Sequence, residues 1–258
     1  GLEEALKERG DKFNSRGVWF QGAYPIRSGW EGRVEAELAA RQMGAHRLMM
    51  AGVRFLAPDQ CCIGPRVQVG EGTVVLPGTI LRGETVIGRN CEIGPNTMIR
   101  DCTVGDNVTV NASQLNESRV DDGVKIGPFA YIRPNCHVGE NVKVGDFVEL
   151  KNSTIGAGTK ISHLTYVGDS DVGRRVNFGC GTVTVNYDGF TKFRTTIGDD
   201  AFIGCNTNLV APVKVGDGAY TAAGSTITDD VPGDSLAIAR TRQTVKKQWA
   251  AKRRARRK

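Results

Sequence analysis

The chain has 258 residues, of which 40% are apolar, enough to bury a core in one large domain or two small ones. Aromatic residues make up only 7% while glycine numbers 33, a balance that suits a fold of many tight, regular corners and argues against a helical bundle. The net charge of +6 misleads: residues 246–258 carry eight positive side chains and no acidic one, so the rest sums to −2, which excludes a basic nucleic-acid-binding body.

In chain order, LEEALKERG reads as a short helix, followed by an irregular stretch to residue 32, too little for a domain of its own. The opening GLEEALKERGDKFN is charged and lacks the apolar stretch of a signal peptide. No run of about 18 apolar residues occurs, so no membrane span is expected and the chain reads as cytoplasmic. Residues 33–51 read as an amphipathic helix with Val34, Leu38, Ala45, Leu48 and Met49 on one face and Gly52 as its stop.

From residue 63 an aliphatic residue followed by glycine recurs, from Ile63-Gly64 and Val69-Gly70 through Ile126-Gly127 and Val138-Gly139 to Ile203-Gly204 and Val215-Gly216. The separations are mostly six or its multiples. Two registers are clean: Ile126, Ile132, Val138, Val144, then Ile197, Ile203, Leu209, Val215, Thr221, Ile227. A period of six matches no helix; it fits one short strand and one corner per hexad, the aliphatic side chain pointing inward and the glycine permitting the corner's backbone. Small residues further on, such as Thr73, Thr97 and Ala130, complete the turns. Three hexads close a triangular coil of about 18 residues, so roughly nine coils fit between residues 60 and 228, an all-β solenoid preceded by a helical segment.

Two segments break the period. ISHLTYVGDS (161–170) sets His163 and Tyr166 near a corner. TVNYDGFTKFRTT (184–196) is polar, contains the turn signal Asp188-Gly189, and shifts the register by one, since Phe178 and Ile197 are 19 apart. An insertion in a solenoid leaves as a loop on one face, often the binding face.

The histidines are His46, His137 and His163. His46 falls in the helix and His137 in a regular hexad, whereas His163 departs from the repeat. One such histidine per chain cannot gather the several imidazoles of a zinc site, so no metal is expected. The seven cysteines (Cys61, Cys62, Cys91, Cys102, Cys136, Cys180, Cys205) show no CxxC spacing and read as reduced. Cys180 as an acylated nucleophile lacks a base paired with it in sequence.

The segments IGPFAYIRP, VGDFVELKNS, HLTYVGD, VNFGCGTVTVNYDG, KFRTTIGDDAFIG, NLVAPVKVG and LAIAR make the chain resemble the acetyltransferase domain of the bacterial bifunctional N-acetylglucosamine-1-phosphate uridyltransferase / glucosamine-1-phosphate acetyltransferase family. The resemblance covers most of residues 60–245 and is more specific than the hexapeptide pattern. It implies a left-handed parallel β-helix over 58–232, a C-terminal arm and basic tail over 233–258, and a homotrimer. It implies His163 as catalytic base and Glu149 beside the sugar. Arg133, Lys151, Tyr166, Asn177, Asn186, Tyr187 and Lys192 become sugar-phosphate contacts. Cys180, Cys205, Ala223 and Arg240 line the groove for the co-substrate acetyl-CoA. The family often has alanine or serine where this chain has Cys180 and Cys205; both are small, and a thiol hydrogen-bonds more weakly than a hydroxyl.

The residue types suit that chemistry. An amine attacks a thioester only as the free base, and a histidine titrating near neutrality can accept its proton. A carboxylate should orient the imidazole, with Glu149 as the candidate. Arg133, Lys151 and Lys192 can meet a dianionic phosphate. Acetylation of another amino sugar and a non-catalytic trimeric scaffold are the competing readings; the NYDG loop with Lys192, and the joint presence of His163, Arg133, Lys151 and Asn186, argue against them.

Residues 1–57 resemble the end of the family's uridyltransferase domain and its linker helix. Where the family carries a GVNNR-like segment with a magnesium-holding asparagine, this chain has Gly29-Trp30-Glu31-Gly32-Arg33. A fragment of a longer protein and a chain whose first domain has decayed both fit, and uridyl transfer is expected to be absent.

Overall fold

The computed structural model describes residues 13–14, 17–18 and 29–256. The short helix expected at LEEALKERG lies outside them. Helix α1 (Trp30–Met50) ends where Gly52 adopts a φ of +87°, and the amides of Gly52 and Val53 return to the carbonyls of Met49 and Leu48 at 3.0 Å each.

The buried residues of α1 are Gly32, Ala36, Gly44, Ala45 and Leu48, while Val34, Leu38 and Met49 of the expected apolar face are exposed. Close approach is the reason. A Cβ added at Gly44 would stand 2.8 Å from the carbonyl oxygen of Ile63, so the contact face is built from the smallest residues. Leu48 joins the aliphatic core and Arg47 Nη2 donates to Val67 O at 2.8 Å, which seats the helix on the first coils.

Besides a two-stranded antiparallel pair, Phe13–Asn14 with Gly17–Val18, the chain from Arg54 to Ala237 forms a parallel β-solenoid of about ten turns. Its three sheets hold eleven strands (Arg54–Phe55 to Leu236–Ala237), ten (Cys62–Ile63 to Thr226–Ile227) and nine (Gln68–Val69 to Val213–Val215) among the described residues. Each strand pairs with the strand one coil before and one coil after, so burial is shared only between neighbours. Every member of both clean registers, Ile126 to Val144 and Ile197 to Ile227, is buried. Each such aliphatic side chain contributes about 2 kcal/mol by leaving water. Thr73 lies in the same interior and bridges coils: its hydroxyl donates to Gly88 O at 2.9 Å and accepts from Cys91 N at 3.0 Å.

The repeat glycines do a different job from the expected one. Of those following the aliphatic residue, only Gly94 and Gly127 have positive φ. The others are needed for space: a Cβ at Gly88 would come within 2.5 Å of Gly105 O in the next coil. The left-handed positions mostly fall two residues later; some are glycine, several, as at Asn90, Asn107 and Asn141, an asparagine that tolerates that conformation, and others are Phe129, Phe147, Arg175 and Asp200.

Coils vary in length. Val74 pairs with Glu92 (18 on), Met98 with Gln114 (16 on) and Lys160 with Asn177 (17 on). One coil is far longer: Ser170 pairs with Thr195, Phe178 with Ile203 and Val183 with Asn208, each 25 on. The one-residue shift expected from Phe178 and Ile197 is thus corrected. Ile197 pairs with Val172, on another sheet, and the insertion adds seven residues to an 18-residue coil, as 25 − 18 shows. Among the described residues no helix is long and apolar enough to cross a membrane. Beyond Ala237 the chain runs exposed into helix α2 (Trp249–Ala255).

Candidate functional site

The strands Lys143–Asp146 and Lys160–His163 stay in register to their ends, Lys143 opposite Lys160 and Asp146 opposite His163. The last pair therefore sits at one corner of two stacked coils, with His163 Nδ1 2.6 Å from Asp146 Oδ1. The hydrogen bond from His163 holds the Asp146 carboxyl below the usual carboxylate range. With Nδ1 engaged, Nε2 is the nitrogen left without a protein partner among the described residues.

Glu149 does not orient His163. It lies past the corner on the adjacent sheet, where its cross-coil neighbours are Tyr131 and Tyr166. Its Oε1 accepts from Arg133 Nη1 at 2.8 Å, a contact that raises the Arg133 pKa. The carboxylate on the imidazole is Asp146, which sequence reasoning missed. Counting back one 17-residue coil from His163 would have found it.

At the next corner of the coil, across the sheet that carries Glu149 and Tyr166, lies a cleft of about 350 Å³ lined by Arg133, Pro134, Asn135, Lys151, Asn152, Asp169 and Lys192, and by neither His163 nor Asp146. Asp169, only 4% exposed, is its hub. Its carboxylate accepts from Lys151 Nζ at 2.9 Å, from Asn152 Nδ2 at 2.6 Å, and from Asn186 Nδ2. Burial pushes the Asp169 pKa up, but these donors outweigh it and leave the carboxyl below its ordinary range. For Lys151 burial pulls the pKa down, and its neighbours, Asp169 foremost, more than restore it. Asp169 and Asn152 were absent from the expected set; they too are one coil apart.

The long coil delivers the polar loop 186–194 to this cleft. Asp188 Oδ1 accepts from Phe190 N at 2.8 Å and Thr191 N at 2.6 Å, and Gly189 has a φ of +98°, so the turn forms where Asp188-Gly189 signals it. An isolated antiparallel bridge joins Tyr187 to Lys192. Asn186 Nδ2 also reaches Tyr166 Oη at 3.4 Å, which ties the loop to the sheet. Asn177 is not in the cleft lining: it sits on the eleven-stranded sheet between Lys160 and Phe202, on the His163 side of the corner.

The remaining expected residues continue the His163 corner along the solenoid. Leu164 N bonds Asp146 O at 2.9 Å, Gly181 N bonds Leu164 O at 3.1 Å, Asn206 N bonds Cys180 O at 2.8 Å and Gly224 N bonds Cys205 O at 2.8 Å. Asp146, His163, Cys180, Cys205 and Ala223 thus succeed one another coil by coil, and Arg240 Cδ lies 3.8 Å from the point where a Cβ on Gly224 would stand. Beyond His163 the column carries small side chains, which leaves room for an extended ligand along the corner. A parallel column holds Phe129, Phe147 and Leu164, which are 59%, 57% and 57% exposed and all have positive φ; the two phenyl rings stack at 5.4 Å.

Three family models match parts of the chain: the EIF2B subunit epsilon LbH domain over residues 53–150, the GMPPB C-terminal domain over 114–187, and the bacterial transferase hexapeptide (six repeats) over 194–229. The bifunctional protein GlmU of Clostridium kluyveri is 49% identical over 249 residues, covering 96% of this chain and 54% of that protein. Bifunctional protein GlmU of an Exiguobacterium species is 52% identical over 212 residues, 82% of this chain and 47% of the relative. The chain spans about half the length of the curated relatives it matches. Among solved structures, the UDP-N-acetylglucosamine acyltransferase of Francisella novicida aligns over 70% of this chain and 65% of its own at 17% identity and a TM-score of 0.46, too slight a likeness to bear on function.

Proposed function

The chain belongs to the family of the bifunctional GlmU proteins, about half of whose length it spans, and we propose that it transfers the acetyl group of acetyl-CoA to the amine of glucosamine-1-phosphate. The product, N-acetylglucosamine-1-phosphate, serves cell-wall precursor synthesis. The observation that carries the reading is the His163–Asp146 pair, 2.6 Å apart, at the head of a corner column of small residues.

In this reading Arg133, Lys151 and Lys192 hold the phosphate by charge-assisted hydrogen bonds. Glu149 steadies Arg133, Asp169 steadies Lys151, and Tyr166, Asn177, Asn186 and Tyr187 contact the sugar. Acetyl-CoA lies along Cys180, Cys205, Ala223 and Arg240 with its thioester at His163. Nε2 of His163 takes a proton from the substrate nitrogen as that nitrogen attacks the carbonyl carbon. The C–N bond forms, the C–S bond breaks, and the imidazolium returns the proton to the departing thiolate. Asp146 holds the ring in the tautomer that leaves Nε2 basic and stabilises the cation that forms. Holding both substrates at once makes the attack effectively unimolecular.

The exposed strip Phe129, Phe147, Leu164 beside His163 supports a second copy of the chain closing the groove, in a homotrimer, with the arm beyond Arg240 packing on a neighbour through Trp249, which is 60% exposed in the single chain. Mass-spectrometric assay with acetyl-CoA and a panel of amino sugars tests the reaction: acetylation of glucosamine-1-phosphate is expected, and preference for another sugar, or no transfer, refutes it. Light scattering that finds an active monomer refutes the shared groove.

A further inference from the structure

The corner column that carries His163 also carries two thiols. Cys180 and Cys205 differ by 25 in number, and 25 is the coil offset on both sides of that corner, Phe178 pairing with Ile203 before it and Val183 with Asn208 after it. The amide of Asn206 donates to the carbonyl of Cys180 at 2.8 Å. The two cysteines are therefore cross-coil neighbours. Adjacent strands lie about 4.8 Å apart, inside the roughly 4.4–6.8 Å Cα separation that a disulfide bridges. Both thiols are free, Cys180 half-buried and Cys205 exposed.

No other cysteine combines these features. Cys61, Cys91, Cys102 and Cys136 are buried in the solenoid, and burial pushes their thiols up, that of Cys102 to about 11, so they hold little of the reactive thiolate. Cys62 is half-buried, but its cross-coil partner is Ile80.

We propose that Cys180 and Cys205 form a dithiol oxidation site that takes a hydroperoxide, and that the resulting disulfide obstructs the corner along which the acetyl donor lies. The oxidation chemistry stands on the thiol geometry alone; its effect on turnover rests on the function proposed above. The exposed Cys205 thiolate attacks one peroxide oxygen, so an S–O bond forms, the O–O bond breaks, and the alkoxide leaves and is protonated to the alcohol. The sulfur is oxidised by two electrons to a sulfenic acid. Cys180, losing its proton, attacks that sulfur; the S–S bond forms and the S–O bond breaks, releasing water. Two thiols and one hydroperoxide give one disulfide, one alcohol and one water, and a thiol reductant reverses the bond by exchange.

The test treats the full chain with hydrogen peroxide, alkylates the remaining thiols, and maps peptides by mass spectrometry. A cross-linked pair containing Cys180 and Cys205, lighter by two hydrogens than its parts, is expected. Coenzyme A binding, followed by calorimetry, should weaken about tenfold or more on oxidation and recover with dithiothreitol. In Cys180→Ala and Cys205→Ser, each compared with its own untreated sample, that oxidation-dependent change should vanish. Absence of the cross-link, or cross-linking only among other cysteines, overturns the proposal. A cross-link that leaves coenzyme A affinity unchanged overturns the obstruction. A cross-link that forms in a chain whose untreated form acetylates no amino sugar upholds the thiol site and refutes the proposed reaction instead.

Discussion

Asp146 Oδ1 and His163 Nδ1 stand 2.6 Å apart across two successive coils, so the carboxylate that steadies the imidazole comes from the stacking of the solenoid and not from the histidine's own strand. His163→Ala is expected to lower kcat by about 100-fold or more, the scale for a positioned base. Asp146→Ala should cost about 10- to 100-fold in kcat with little change in KM, the usual loss when a partner orienting a functional histidine is removed. Steady-state kinetics on variants with unchanged circular dichroism checks both. Full activity in Asp146→Ala would assign orientation to another group.

Acid stability should report on the buried hub. The folded-state pKa of Asp169 lies below its unfolded value, because the donors of Asn152, Lys151 and Asn186 outweigh burial. Its contribution is therefore complete above the ordinary carboxylate pKa of about 3.9 and is lost as pH falls through the lower, folded value. The melting temperature of the wild type should fall more steeply below about pH 4 than that of Asp169→Asn, which has no such proton to bind. Parallel melting curves from pH 7 to 3 contradict this.

The two kinds of corner position can be separated. Gly88 is held open by the closeness of Gly105, whereas Asn90 needs only tolerance of a φ of +55°. Gly88→Ala should destabilise by about 1–3 kcal/mol through overpacking. Asn90→Gly should be near neutral and Asn90→Ala should cost about 1 kcal/mol. Urea midpoints measure all three; a harmless Gly88→Ala would return the repeat glycine to a purely conformational role.

Lys192 reaches the cleft from the long coil's loop and lines it together with Arg133 and Lys151. Lys192→Met should raise KM for a phosphorylated amino sugar about tenfold, the value of one charge-assisted hydrogen bond, and leave kcat within a few-fold. Equal losses on phosphorylated and unphosphorylated sugars would remove Lys192 from the phosphate.

The solenoid was legible because each coil repeats one demand, an aliphatic residue inward every sixth position, and the clean registers such as Ile126 to Val144 are buried throughout. His163 stood out as the histidine outside that rhythm. Its partner did not, because cross-coil neighbours are found only when the local coil length is known, and that length is 16, 17, 18 or 25 residues at different points. Asp146 and Asp169 were missed for this one reason, and Glu149 was the candidate because the family resemblance sets it beside the sugar. The face of α1 was right at Ala45 and Leu48 and wrong at Val34, Leu38 and Met49, because hydrophobicity marks what can be buried, while the approach of Gly44 to Ile63 decides what fits.

The seven extra residues of the long coil depart and return without disturbing the stack: the offset is 25 on all three sheets, and Thr195 to Val213 is again 18. Residues 187–193, between the ties that Asn186 makes to Asp169 and Arg194 to Asp171, therefore pair with no strand of a neighbouring coil. Mutations there can accumulate, lengthen or be replaced while the scaffold keeps its identity, so the surface that meets the small molecule can evolve on a faster clock than the fold that carries it.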